Sequence, residues 1–259
     1  MGWHSKGGHD RTFGTNAKAW DWCSVNNAGF EYYQNAKKDG IGLPPHNPRI
    51  WVFRHQSNAS CAPRLRRVWH PIGYSSNSGW SNFFINITAG RLLTYTNTLL
   101  KFALPDIVIG TGGGYNTYDI YESVNHELSH ASHFNKVGSA FWAKYVNYII
   151  TYGKKYDHPY GDASCNNSGF CGVGEMWGYA MGYIRTYEKY QQKPKNGQSK
   201  WFQPNLLYDL MTEKILTKKQ IFDCLSSDVT SHALLKQKMI SRYPSKKDSI
   251  IAKFSRYGF

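Results

Sequence analysis

Between Tyr121 and Phe134 the chain reads Tyr-Glu-Ser-Val-Asn-His-Glu-Leu-Ser-His-Ala-Ser-His-Phe, and His126-Glu127-x-x-His130 lies at its centre. This stretch constrains the fold more than any other. On an α-helix, side chains at i and i+4 leave the same face one turn apart. Two imidazoles so placed suit one tetrahedral Zn²⁺, with Glu127 set beside a metal-bound water. The chain holds ten His and six Glu, and at those frequencies the pattern arises by chance in roughly one shuffled chain per hundred. Local signals support a helix over about 118–137. Thr117 serves as N-cap, Asp119 suits the first turn, and Gly138 past Lys136-Val137 is a C′ stop.

A chain of 259 residues can bury a substantial core, as one large domain or two lobes. It has no run of 18 apolar residues, which predicts no membrane span. The opening Met1-Gly-Trp-His-Ser-Lys lacks the apolar centre of a signal peptide, and a trimmed secreted protein would read the same way. The net charge of +14 attracts anions. Its basic residues are scattered, however, and no zinc-finger, RNP or helix-turn-helix pattern accompanies them, so the expectation is a solvated basic surface and no nucleic-acid partner. Nineteen Tyr and nine Trp suit a core with amphipathic edges, or a groove lined with rings. Five Cys are spaced unlike a structural zinc cluster. Cys165 and Cys171 bracket a polar loop and would close it as a disulfide in an oxidising compartment, so the expected location is secreted or cell envelope.

Strand signals lie at Ile50–His55, Arg67–His70, Asn82–Thr88 and Asp106–Ile109, and a helix is expected over about 88–103. Gly110–Gly114 lacks the Gly-Lys-Ser/Thr ending of a phosphate loop and reads as a lip before the His126 helix. Earlier, Glu31–Lys38 reads as a short helix ended by Asp39-Gly40. Later helices are expected at 140–152 and about 173–191, and then at Pro204–Met211, Lys218–Leu225, His232–Arg242 and Lys246–Tyr257. The lysine-rich stretch Gln191–Ser199 is the candidate lobe boundary. The division is residues 1–198, with a sheet-containing part at about 45–115 and metal-site helices at about 117–191, and a helical subdomain at 199–259.

Catalytic zinc usually takes three protein ligands and one open position. His133 shares a helical face with His126, but seven residues at about 1.5 Å rise separate them by about 10 Å along the axis. His133 is therefore a core or supporting histidine. Lys136 stands where a metzincin has its third histidine. Glu175, on a separate helix, is the preferred third ligand, and Asp162 is the alternative. Gly178 and Gly182 follow Glu175 at i+3 and i+7, a stripe without side chains that lets the two helices pack closely.

His126-Glu127-x-x-His130 with a helical Glu downstream resembles the gluzincin zinc metallopeptidases, and the block from Pro105 to Gly182 is similar to uncharacterised bacterial envelope-associated zinc peptidases. The resemblance implies an α+β, zincin-like fold: a small mixed sheet, the metal helix, then a mostly helical C-terminal lobe. It implies a zinc metallopeptidase acting on protein or peptide substrates through a zinc-bound water, with His126, His130 and Glu175 as ligands and Glu127 as general base. Tyr179, Tyr160 and His158 are the candidate donors to the oxyanion. Two features depart from the thermolysin-like pattern. The 45-residue step from His130 to Glu175 is long, and Tyr179 stands where an acidic partner of a ligand histidine is expected. Asp119, Glu122 and Asp162 are the options for orienting the histidines. The competing expectation is a secreted glycan- or peptide-binding protein with a non-catalytic zinc.

Overall fold

The computed structural model describes residues 14–54, 105–112, 114–153, 160–194 and 200–259. Among them the chain is mostly helical, with one two-stranded sheet. The strands expected at 67–70 and 82–88 and the helix expected at 88–103 lie outside the described residues.

Helix α1 spans Lys18–Asp39, far longer than the segment expected at 31–38. Asn26, Asn27 and Gly29 look like breakers in the sequence. Yet Val25, Ala28, Gly29, Tyr32 and Ala36 recur at helical spacing and all are buried, so burial of that stripe outweighs weak local propensity. Paired bonds from Gly40 N to Lys37 O and from Ile41 N to Ala36 O end the helix in a Schellman motif. Strands β1 (Ile50–Phe53) and β2 (Ile107–Gly110) pair in parallel, with Ile50 opposite Ile107 and Phe53 opposite Gly110. All four β2 residues are buried. The two described strands are thus parallel, and a mostly helical chain with this small sheet is compatible with the expected α+β class.

Helix α2 spans Thr117–Gly153. Its N-cap is Asn116, not the expected Thr117. Asn116 Oδ1 accepts from Asp119 N while Asp119 Oδ2 accepts from Asn116 N, a reciprocal pair that satisfies two exposed donors. Gly138 does interrupt the helix, as its position predicted, with φ 82° and ψ 178°. That left-handed φ disfavours L side chains. The chain then resumes as a second helical arm and folds back on the first. On a straight helix residues 130 and 145 would lie about 22 Å apart, yet the rings of His130 and Tyr145 are 6.1 Å apart.

Helix α3 spans Ser168–Tyr190, starting five residues before the expected position. Four short helices complete the chain: α4 (Asn205–Thr212), α5 (Lys218–Cys224), α6 (His232–Arg242) and α7 (Lys247–Arg256). A 3-10 turn, Pro244–Lys246, precedes α7. Thr217 and Gln220 form a capping box on α5, and Ser231 Oγ caps α6. The main core runs from Val25 and Tyr32 of α1 through Leu128 of α2 and Trp177 of α3 to Leu235 and Phe254 near the C-terminus. A second cluster under the returning arm of α2 joins Val137, Phe141, Trp142, Tyr145, Phe170 and Cys171. Buried Arg185 of α3 ties the periphery together, lying 2.6 Å from Asp39 and 3.2 Å from Glu188. The buried Cys171 carries a free thiol, so the expected disulfide across that loop is not formed. No helix among the described residues is long and apolar enough to cross a membrane.

Candidate metal centre

The first arm of α2 and the middle of α3 pack face to face, and the contact is close because glycine permits it. A Cβ on Gly178 would sit 2.6 Å from His130 Cε1 and 2.7 Å from its Nε2. Both are well inside contact distance, so the His130 ring occupies the space a side chain would need. One turn later Gly182 lies against Glu122 and His126. The small-residue stripe expected from the sequence therefore does bring α3 onto the histidines.

His126, Glu127, His130 and Glu175 converge there, with 9, 6, 2 and 2 % of their surface exposed. The two imidazole Nε2 atoms face each other at 2.9 Å. Glu175 places Oε1 3.3 Å from His130 Nε2 and Oε2 3.6 Å from His126 Nε2. With metal–donor bonds near 2.0–2.1 Å, the edge of a tetrahedral donor set is about 3.3 Å, and the three separations bracket it. Glu127 Oε1 lies 3.5 Å from His126 Nε2, and donor atoms of His126, Glu127 and His130 all fall within 4.8 Å of one another. Glu175 Oε2 is buried with no hydrogen-bond donor among the described residues. An orphaned carboxylate oxygen beside two imidazoles is a costly arrangement unless a cation satisfies it. The donor set of two imidazoles and a carboxylate suits zinc.

Protonation states point the same way. Burial, then the neighbouring His130 charge, pushes His126 down to about 3, against the pull of Glu175. Its imidazole is neutral, as a metal ligand must be. Burial works against the Glu175 carboxylate, but His130, His126 and the Tyr145 hydroxyl outweigh it and hold the group below its ordinary value. Tyr145 donates to Glu175 Oε1 and is itself raised well above the phenolic range, by burial first and the Glu175 charge second. This partner was missed in the sequence. Its chemistry was one of nineteen tyrosines, and only the turn at Gly138 brings it across.

The other expected residues are distributed as follows. The Tyr179 ring lies edge-on to His126 at 4.3 Å, and its hydroxyl shares a 2.7 Å hydrogen bond with that of Tyr160. Burial raises both phenols, so both stay protonated. His158 lies outside the described residues. Asp162, the alternative ligand, is exposed and accepts from Ser164 N and Oγ, away from the cluster. Asp119 is engaged in the α2 cap, where its carboxylate accepts from Asn116 N. His133 is fully buried against Phe141 and Trp142, a core histidine as expected. No family model, curated protein or solved structure matches this chain.

Proposed function

We propose that the chain is a zinc-dependent metallopeptidase of the gluzincin type, with a zincin-like arrangement of its metal helices. The observation that carries this reading is the convergence of His126 and His130 from α2 with Glu175 from α3, with the Glu127 carboxylate beside His126. His126, His130 and Glu175 would hold the ion. When bound, zinc supplies Lewis acidity at the scissile carbonyl. Glu127 takes the proton of the attacking water and delivers it to the leaving amine. Tyr179 and Tyr160 share one hydrogen bond between two hydroxyls, which leaves one O–H to donate to the developing oxyanion. Tyr145 keeps one Glu175 oxygen engaged and the carboxylate plane in place.

One feature favours a second reading. Glu127 sits close enough to His126 to serve as a fourth donor, and the cluster is almost closed to solvent. Four protein donors would make a structural zinc in a binding protein for glycans or peptides. The Glu127→Gln variant separates the two. In the peptidase reading it retains one zinc per chain by atomic absorption and loses cleavage of a mixed denatured-protein substrate by at least a hundredfold. In the structural reading it loses the metal.

A further inference from the structure

Lys200 stands at the edge of the candidate metal centre, and no carboxylate among the described residues pairs with it. Its Nζ lies 4.6 Å from the centre of the Tyr179 ring, 4.9 Å from that of Tyr160 and 5.9 Å from that of Phe202. The Tyr179 ring in turn touches His126, so one aromatic ring separates the ammonium from a metal-site imidazole. The rest of the molecule treats its partly buried lysines differently. Lys189 is held by Glu31, Lys218 by Glu188 and Asp39, and Lys253 by Glu213 and Asp209. Among the described residues no carboxylate lies within ion-pair distance of Lys200. Burying an ammonium without a counter-charge is unfavourable, and contact with ring faces offsets only part of that. Burial accordingly lowers the Lys200 pKa, with the Glu175 charge opposing. A zinc ion on Glu175 would remove that one attraction and leave the ammonium seeking another anion.

We infer that Lys200, seated on the rings of Tyr160, Tyr179 and Phe202, receives a carboxylate of the peptide bound at the metal centre. This rests on the peptidase reading of the same site and names its substrate class: peptides with a carboxylate close to the bond presented to the ion. At about 3.5 Å per extended residue, a group one or two residues away is within reach. Two sources share the chemistry, the C-terminal carboxylate and an acidic side chain. The Trp201 indole donates to Tyr160 O, and Phe202 is fully buried, so the chain is anchored immediately after Lys200.

The test is a titration calorimetry series on zinc-loaded Glu127→Gln protein, or on wild type if that variant loses its zinc, since turnover then does not intervene. Three N-blocked tetrapeptides share one neutral sequence: one with a free C-terminal carboxylate, one amidated, and one amidated with glutamate replacing its last residue. One carboxylate form binds at least tenfold tighter than the neutral amide, and which one identifies the source. Lys200→Met, which keeps the aliphatic contact with the rings, reduces that peptide to the affinity of the amide, and Lys200→Arg restores the preference. Equal binding of all three peptides by the parent protein overturns the inference, even if the protein hydrolyses protein substrates. A Lys200→Met variant that binds all three more weakly but keeps the preference also overturns it, and marks Lys200 as a structural prop. A Lys200-dependent preference without any hydrolysis upholds the inference and removes the peptidase reading instead.

Discussion

Tyr145 and Gly178 act on the candidate metal centre, one by holding the Glu175 carboxylate and the other by making room for the His130 ring. Removing the Tyr145 hydroxyl leaves the ring packed on Trp142 at 4.6 Å, so Tyr145→Phe is expected to fold normally. Glu175 then loses its donor, and zinc affinity falls about 10–100-fold, as for other partners of metal ligands; competition with a chromophoric chelator measures it. Gly178→Ala places a methyl where the His130 ring lies. It is expected to displace that imidazole and lower zinc affinity at least as much, with the helices pushed apart. At this scale the sequence was most readable: His126, Glu127, His130, Glu175 and the Gly178–Gly182 stripe all follow from motif and spacing. Tyr145 could not be found, because its role depends on a reversal of chain direction and not on a local pattern. Asp162 is the alternative ligand in the sequence, but the local turn it forms with Ser164 engages its carboxylate.

Among the elements, α2 decides the architecture. Gly138 was legible as a stop, but a stop and a tight return between two arms have the same one-residue signature. The return is set by long-range packing of Phe141, Trp142 and Tyr145 against His133, His130 and Glu175. A Cβ at Gly138 would meet no atom within 4 Å, so the penalty of substitution lies in the backbone alone. Gly138→Ala is expected to lower stability by about 1–3 kcal/mol, read as a shifted urea midpoint with unchanged slope. Helix α1 failed to show its full length for the opposite reason. Its Asn and Gly residues argue locally against a helix, and only the buried stripe reveals it. The C-terminal helices are legible almost to the residue because Ser, Thr, Asp or Pro signals separate them, and Thr217 and Ser231 cap two of them.

For the whole molecule, acid stability is set partly by histidines that fold in the neutral form. His232 stacks on Phe259 at 4.1 Å, and burial pushes it down to about 4 despite a hydrogen bond with the Gly172 backbone. Below about pH 6.5 the unfolded chain binds a proton at this residue that the folded chain refuses, until the pH nears 4. The sign is then fixed: unfolding free energy rises with pH across that window, and the stability is lost as pH falls through it. His232→Gln is expected to flatten this part of the curve of urea midpoint against pH. Flattening will be partial, since buried His133, down at about 3, pulls in the same direction.

The doubling back of α2 has a consequence for how the molecule comes together. Both imidazoles and the phenol that steadies the carboxylate belong to one continuous run of backbone, and the carboxylate arrives on the next helix. Closing short loops costs little entropy, so a nucleus drawn from neighbouring segments is favoured kinetically over one that needs distant termini. The candidate metal pocket is therefore expected to lie in the part of the chain that organises first, with α1 and the terminal helices docking onto it afterwards.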